Sequence, residues 1–400
     1  MKNENSISDR IMTMRYFDAI TVGDYRYFSE ASLNGFFRQN IIDNEIEFIG
    51  YFLDEDIEQE LLHREIIYIG EELFFIPFNG RKVGVYNLAQ KSFDTIEIKN
   101  DKVVSFSKAH HKGNMIFMIP ANERVPFIKL DLLERKCIVI ENVWDKVKKV
   151  VKRDNISLDV YSSIVVQNKL YLSVYGHNAL LKFDLETWEV EVDELPEQYQ
   201  LKNMNIISNK FWFTLVDSYN IIQYDPIEKN VKEYKNEYIG EKIGAYMRCI
   251  EFQNRILILP GAENHLAEID YQEQKVLIRQ ELLNDEFERR NTVSALALGY
   301  EMNDSEVIIY PNAGTKMICW NKENKTKYVN AVFIKGLDKL RKAIIDKRFK
   351  EKLENAEVIT EYSDEIFSLD NFITYICDSQ EKKQNIETTG IGEKIWKYLR

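Results

Sequence analysis

One short phrase returns along this chain at a near-constant interval. It reads as an apolar strand, a hairpin loop, a strand of the form apolar-x-apolar-Asp-apolar, a polar turn and an alternating strand. The clearest copy runs through Lys169–Tyr175, Gly176-His177-Asn178, Leu181–Thr187 and Trp188–Val192. A period of this size means stacked repeats, because one such unit cannot bury its apolar faces without neighbours. Anchored on the Asp or Asn of the third strand, the copies fall at Asn40, Asn87, Asp131, Asp184, Asp225, Asp270 and Asn321, with gaps of 47, 44, 53, 41, 45 and 51 residues. That interval is too long for leucine-rich repeats, and the periodicity is wrong for helical solenoids.

The pattern inside each copy is that of strands. Val190, Val192 and Leu195 sit among Glu189, Glu191 and Asp193, the alternation of a half-buried strand. The segments before the hairpins, such as Leu73–Ile76, Met115–Ile119, Phe211–Phe213, Ile256–Leu259 and Val307–Tyr310, are apolar on both faces. A strand packed between two neighbouring sheets should look like that. Asn79-Gly80, Gly176-His177-Asn178, Gly261–Asn264 and Asn312–Gly314 follow these segments, and their Asn and Gly residues accept the positive φ of tight turns. The anchors themselves are expected to accept hydrogen bonds from backbone groups of the adjacent turn.

In these features the chain resembles the β-propeller superfamily, with kelch-like blade length, over about residues 12–335. The Gly-Gly doublet of kelch blades and the Trp-Asp signature of WD40 are absent from the repeats, so the resemblance extends to no subfamily. It implies an all-β propeller of seven four-stranded blades, with six as the alternative, over residues 1–335. A helical tail would occupy 336–400. Within the tail, residues 336–355 have helical spacing of Leu337, Leu340, Ile344, Phe349 and Leu353, and residues 368–376 read as a second helix. The last segment places Ile391, Ile395, Trp396 and Leu399 on one apolar side. It suits either packing on the propeller or docking to a partner groove.

The net charge of −12 argues against nucleic acid and anionic membranes as partners. The first residues lack the apolar core of a signal peptide, and no apolar run reaches the length of a membrane span. The four cysteines, Cys137, Cys249, Cys319 and Cys377, are scattered as buried free thiols of a reducing compartment would be. The expected location is therefore the cytoplasm, and the Asn-, Lys-, Ile- and Glu-rich composition suggests a bacterial source.

In the resembled fold, blade-to-blade loops and second-to-third-strand hairpins share one end of the ring, where ligands bind. That end should carry Arg81, Arg124, His177, Asn178, Asn220, Glu263 and His265, with Arg248 facing the channel from an innermost strand. A channel-facing Arg needs a partner or a ligand. A second candidate is an anion contact formed by Lys146, Lys148, Lys149, Lys152 and Arg153 in one inter-blade loop, joined by Arg289 and Arg290 in another. His110-His111 is a poor chelate, since neighbours on a strand point to opposite faces. There is no Gly-x-Ser-x-Gly and no phosphate-binding loop motif. No metal and no cofactor is expected, with calcium at the channel mouth left open.

Two functions follow from this reading. The first is a non-catalytic binding or scaffold protein that recognises a partner protein or peptide through its loop-rich face or its tail, in a biosynthetic or assembly system. The alternative is a propeller hydrolase, lyase or lactonase acting on a carbohydrate or small anionic substrate. The balance is against an enzyme, because no catalytic set is visible.

Overall fold

A computed structural model describes residues 15–98, 104–151, 158–238, 245–282, 297–311, 316–321, 323, 325–330 and 332–356. Seven four-stranded antiparallel meanders follow one another in the chain. Repeat one, for example, consists of Ala19–Val22, Tyr25–Ser29, Phe36–Asn40 and Glu45–Gly50. The innermost strands of repeats two to seven are His63–Ile69, Phe106–Lys112, Val160–Val166, Leu201–Ile207, Tyr246–Phe252 and Ala297–Met302. Each meander is ordered by sequence, and the innermost strands of repeats one to six lie side by side in chain order around a central channel, with that of repeat seven next to repeat one.

The meanders form six hydrogen-bonded sheets, which corrects the expectation of seven separate blades. Outer strands Asn230–Asn236 and Lys275–Glu281 pair in parallel, Lys235 with Lys275 and Asn236 with Val276, and merge repeats five and six into one eight-stranded sheet. A second parallel pairing closes the ring. Strand Val332–Lys335 returns to the edge of repeat one, with Val332 opposite Glu45 and Phe333 opposite Ile46. Covering that edge removes a row of unpaired backbone groups.

Each anchor shapes the turn that follows it. Asp184 Oδ1 accepts the amides of Glu186 and Thr187, both at 2.9 Å, and Asp131, Asp225 and Asp270 repeat the arrangement. With a neutral oxygen, Asn40 accepts the Ile42 amide, Asn87 the Gln90 amide, and Asn321 the Glu323 and Lys325 amides. Four residues after the first six anchors, the backbone takes positive φ at Asn44, Lys91, Arg135, Trp188, Lys229 and Gln274. The side-chain bonds therefore hold a turn whose last residue is left-handed whatever its type.

A second set of bonds links the innermost strands from repeat to repeat. Asp18 Oδ2 accepts the Ile66 amide at 2.9 Å, and Glu65 accepts the Ala109 amide. His110 Nε2 meets Ser163 Oγ at 2.8 Å, and Ser162 Oγ donates to the Met204 carbonyl at 3.3 Å. Asn203 and Asn205 donate to the Met247 and Cys249 carbonyls at 2.6 and 3.0 Å. Between repeats the space is filled by apolar clusters, such as Phe127, Trp144, Leu172, Phe183 and Trp188 between repeats three and four.

The chain divides into two compact units, residues 1–344 and 345–400. Helix Leu337–Ala356 begins in the first, where Leu340 and Ile344 are buried in the core of repeat one. The second tail helix and the segment bearing Ile391, Ile395, Trp396 and Leu399 lie outside the described residues. Among the described residues no helix is long and apolar enough to cross a membrane. Cys137, Cys249 and Cys319 are buried free thiols, and burial pushes Cys137 up to about 12.

Candidate functional site

The end of the ring where the innermost strands begin carries the loops singled out in the sequence, and most of their polar groups are engaged there. Asn178 is buried, with its side-chain amide donating to the Leu195 carbonyl and its own carbonyl accepting the Leu195 amide at 2.8 Å. Asn220 donates to Glu233 at 2.6 Å and accepts the Asn236 amide at 2.9 Å. Asn34, just before the third strand of repeat one, holds the Phe52 and Glu55 carbonyls at 2.8 and 3.1 Å and the Phe52 amide at 3.2 Å. These asparagines tie each hairpin to the chain leaving the fourth strand. Because Asn34 is buried, Asn34→Ala should cost about 3 kcal/mol in urea unfolding. An unchanged midpoint would show that the hairpin does not depend on it.

Glu263 and His265 belong to a buried network across repeats five and six. The Tyr219 hydroxyl donates to Glu263 Oε1 at 2.6 Å. Tyr246 Oη lies 2.9 Å from His265 Nε2 and accepts from Asn236 Nδ2 at 2.8 Å. Burial is the main reason the Tyr246 phenol sits above its ordinary value. His177 is half-buried and its backbone pairs with Leu201, which joins the repeat-four hairpin to repeat five. Arg81 and Arg124 are exposed on separate hairpins; the Arg81 amide is held by Glu55 Oε1 at 2.7 Å, and the Arg124 amide by Asn122 Oδ1 at 3.0 Å. The eight candidates are thus not assembled into one site.

What does converge is a group centred on Arg248 and on Arg64, a residue the sequence reading passed over. The register slips at the second residue of six innermost strands, leaving Arg64, Ser107, Tyr161, Lys202, Met247 and Leu298 as the extra residues of β-bulges. Bulges re-aim side chains and are common beside functional sites. Arg64 of repeat two reaches across to the Tyr161 ring of repeat four, 5.6 Å from its centroid, and also lies over Phe78 and Phe17 at 4.9 and 5.5 Å. Arg248 of repeat six points Nη2 at Ser162 Oγ, the residue after Tyr161, at 3.5 Å. Tyr175 packs against Tyr161 with ring centroids 5.0 Å apart. Burial, with the like charge of Arg248, pulls Arg64 below its ordinary value, while Tyr161 and Glu65 oppose the shift. His110 is lowered to about 4 by burial, against the opposing charge of Glu65 and with Lys108 and Arg248 adding to the effect, and is therefore neutral at pH 7.

No family model matches this chain, and no curated protein matches it. Solved structures do. Virginiamycin B lyase from Staphylococcus aureus is similar at a TM-score of 0.55 and 11% identity, over 78% of this chain and 94% of the lyase. YCF48 bound to D1 peptide is similar at 0.53 and 11%, over 76% of this chain and 90% of YCF48. The extracellular domain of BT4673 from B. thetaiotaomicron is similar at 0.52 and 12%, over 76% of this chain; the match spans 38% of that longer chain. The fold is a β-propeller. At these identities the likeness carries architecture alone, so the propeller's site must be read from its own residues.

The basic run of this propeller is a helix, Val143–Val151, and not the loop expected from its charges. Val143, Trp144, Val147 and Val151 are buried between repeats three and four, and Trp144 Nε1 donates to the Val125 carbonyl at 2.8 Å. The lysines are turned outward and diverge. Lys146 pairs with Glu189 at 2.6 Å, Lys148 pairs with Glu123 at 2.8 Å, and Lys149 is exposed. Lys152, Arg153, Arg289 and Arg290 lie outside the described residues. At the opposite end of the propeller, a recess of about 470 Å³ opens between Asn205, Ile207, Glu251, Gln253, Tyr300 and Met302. Among the described residues no cluster of three or more His, Cys, Asp or Glu side chains could hold a metal.

Proposed function

We propose that this propeller is a non-catalytic binding protein that recognises a partner protein or peptide through the loop-rich end of its channel. One observation carries the reading: four polar side chains of that end are spent on holding loops to one another, while Arg64 and Arg248 converge on Tyr161 and Ser162 among aromatic rings. Asn178, Asn220, Glu263 and His265 bridge hairpins, strands and inter-repeat connections. Hydrolysis or elimination needs an acid and a base within reach of one substrate. Near the channel mouth, Glu65 is held by Lys108 and the Ala109 amide, and His110 is held by Ser163. Arg and Tyr are instead the residues that anchor interfaces. YCF48, of the same fold, is known in a complex with a peptide, which supports a peptide as the class of partner. The remainder of the reading is a cytoplasmic scaffold role, with Ile391, Ile395, Trp396 and Leu399 as an additional docking element.

The test is affinity capture of the full chain from a lysate of its source cells, followed by cross-linking and mass spectrometry. One stoichiometric partner cross-linked near Arg81, Arg124 or His177 is the expected result. Cross-links confined to the turns after the anchors, or turnover in a panel of glycosides and lactones, would overturn the reading. Loss of capture on deleting residues 386–400 would assign the docking to the tail.

A further inference from the structure

We propose that Arg64 and Arg248 form a carboxylate-binding site at the channel mouth, in which both guanidinium groups clasp a single carboxylate beside the Tyr161 ring. The proposal rests on the binding function inferred above and names the chemistry that this end of the channel recognises. The two arginines come from repeats two and six, yet they end on adjacent residues of one strand, Tyr161 and Ser162. Arg64 lies over the Phe17, Phe78 and Tyr161 rings and hydrogen-bonds Tyr161, and a guanidinium with five N–H donors keeps others for a planar acceptor. Arg248 has five donors and, among the described residues, one hydrogen-bond contact, at 3.5 Å, too long to satisfy it. Among the described residues neither guanidinium has a carboxylate at ion-pair distance. Two cations brought together in a partly buried place repel each other, and an anion between them reverses the sign of that interaction.

The surroundings select the kind of anion. Glu65, next to Arg64, is paired with Lys108, and Asp18 lies one residue from Phe17. With these acids near, the net positive charge suits a monoanion better than a phosphate dianion. Tyr161 is 40% exposed and packs at a tilt against Tyr175, so an organic group attached to the carboxylate finds an aromatic wall. A peptide C-terminus and a small aromatic acid share this chemistry.

Isothermal titration of the full chain with four probes decides the matter: the peptide acetyl-Ala-Ala-Phe as free acid, its C-terminal amide, benzoate and inorganic phosphate. The free acid should bind at least about tenfold more tightly than the amide, since charge-assisted bonds to one carboxylate are at stake. Arg248→Gln should erase that preference with its thermal midpoint unchanged, and Arg248→Lys should restore it only in part. Because Arg64 is packed on three rings, Arg64→Gln is a secondary variant. Benzoate binding as tightly as the peptide would assign the site to small acids, and benzoate binding weakly would assign it to chain ends. Equal binding of acid and amide, preference for phosphate, no binding of any probe, or an unaffected Arg248→Gln would each overturn the proposal. Carboxylate binding without any captured partner would sink the scaffold reading alone. A captured partner without carboxylate binding would sink the site alone.

Discussion

Glu301→Ala is expected to destabilise the propeller by about 3–5 kcal/mol, the usual effect of stripping a buried charge of its partner. Glu301 belongs to the innermost strand of repeat seven and Arg26 to the second strand of repeat one, so their pair crosses the seam where the ring closes. The bond from Arg26 Nε to Glu301 Oε2 is 2.8 Å, with the side chains 6% and 20% exposed. The Tyr310 hydroxyl donates to the same carboxylate at 3.0 Å, and Thr21 donates to its other oxygen. Arg26 also reaches Gln39 at 2.9 Å. Alanine would leave the guanidinium buried against Tyr16 and Tyr310 with no opposite charge. Urea unfolding would measure the loss, and Arg26→Met combined with Glu301→Met should recover much of it, because an apolar pair avoids the desolvation penalty. A loss below about 1 kcal/mol would mean that strand Val332–Lys335 closes the ring without help from this pair.

Those two closure devices also mark what the sequence could and could not tell. Asp131, Asp184, Asp225 and Asp270 were legible because their role is local: an Asp ending a strand can bond the amides two and three residues on. The strands were legible through alternation and apolar runs. Ring closure was not, since pairing Val332 with Glu45 depends on where the whole ring brings its ends. Merging of repeats five and six depends likewise on two outer strands meeting at Lys235 and Lys275. Helix Val143–Val151 was hidden by its lysines, although Val143, Val147 and Val151 carried helical spacing in plain view. Two of the hairpin asparagines had a signal too, since Asn34 and Asn178 each stand six residues before an anchor. Arg248 was found by its position on an innermost strand. Arg64 was not, because the bulge that re-aims it is a backbone event, shared by residues as unlike as Tyr161 and Met247.

A pair of buried titrating groups in repeats one and two should give the propeller an unusual dependence on pH. His63 is buried beside Phe52 and Phe75, its Nδ1 2.9 Å from Ser29 Oγ, and burial lowers it from 6.5 to about 3. The unfolded chain therefore binds a proton that the folded chain refuses, and stability is lost as pH falls from about 6.5 towards 3. Glu30 behaves in the opposite sense. Burial raises it from 4.5 to about 8, although the Ser32 and Arg15 amides at 2.6 and 3.2 Å oppose the shift. Here the folded chain keeps a proton that the unfolded chain has released, so stability is lost as pH rises from about 4.5 to 8. Asp18, raised mainly by burial, acts in the same direction as Glu30. Each of the first two groups is worth at most about 5 kcal/mol across its range. Glu30→Gln should gain on the native protein steadily between pH 4.5 and 8, and His63→Gln should gain on it below pH 6. Unfolding free energies of both variants, measured every half unit from pH 4 to 8, test the two slopes separately. Parallel curves for a variant and the native chain would mean that the group titrates in the folded state as it does in the unfolded one.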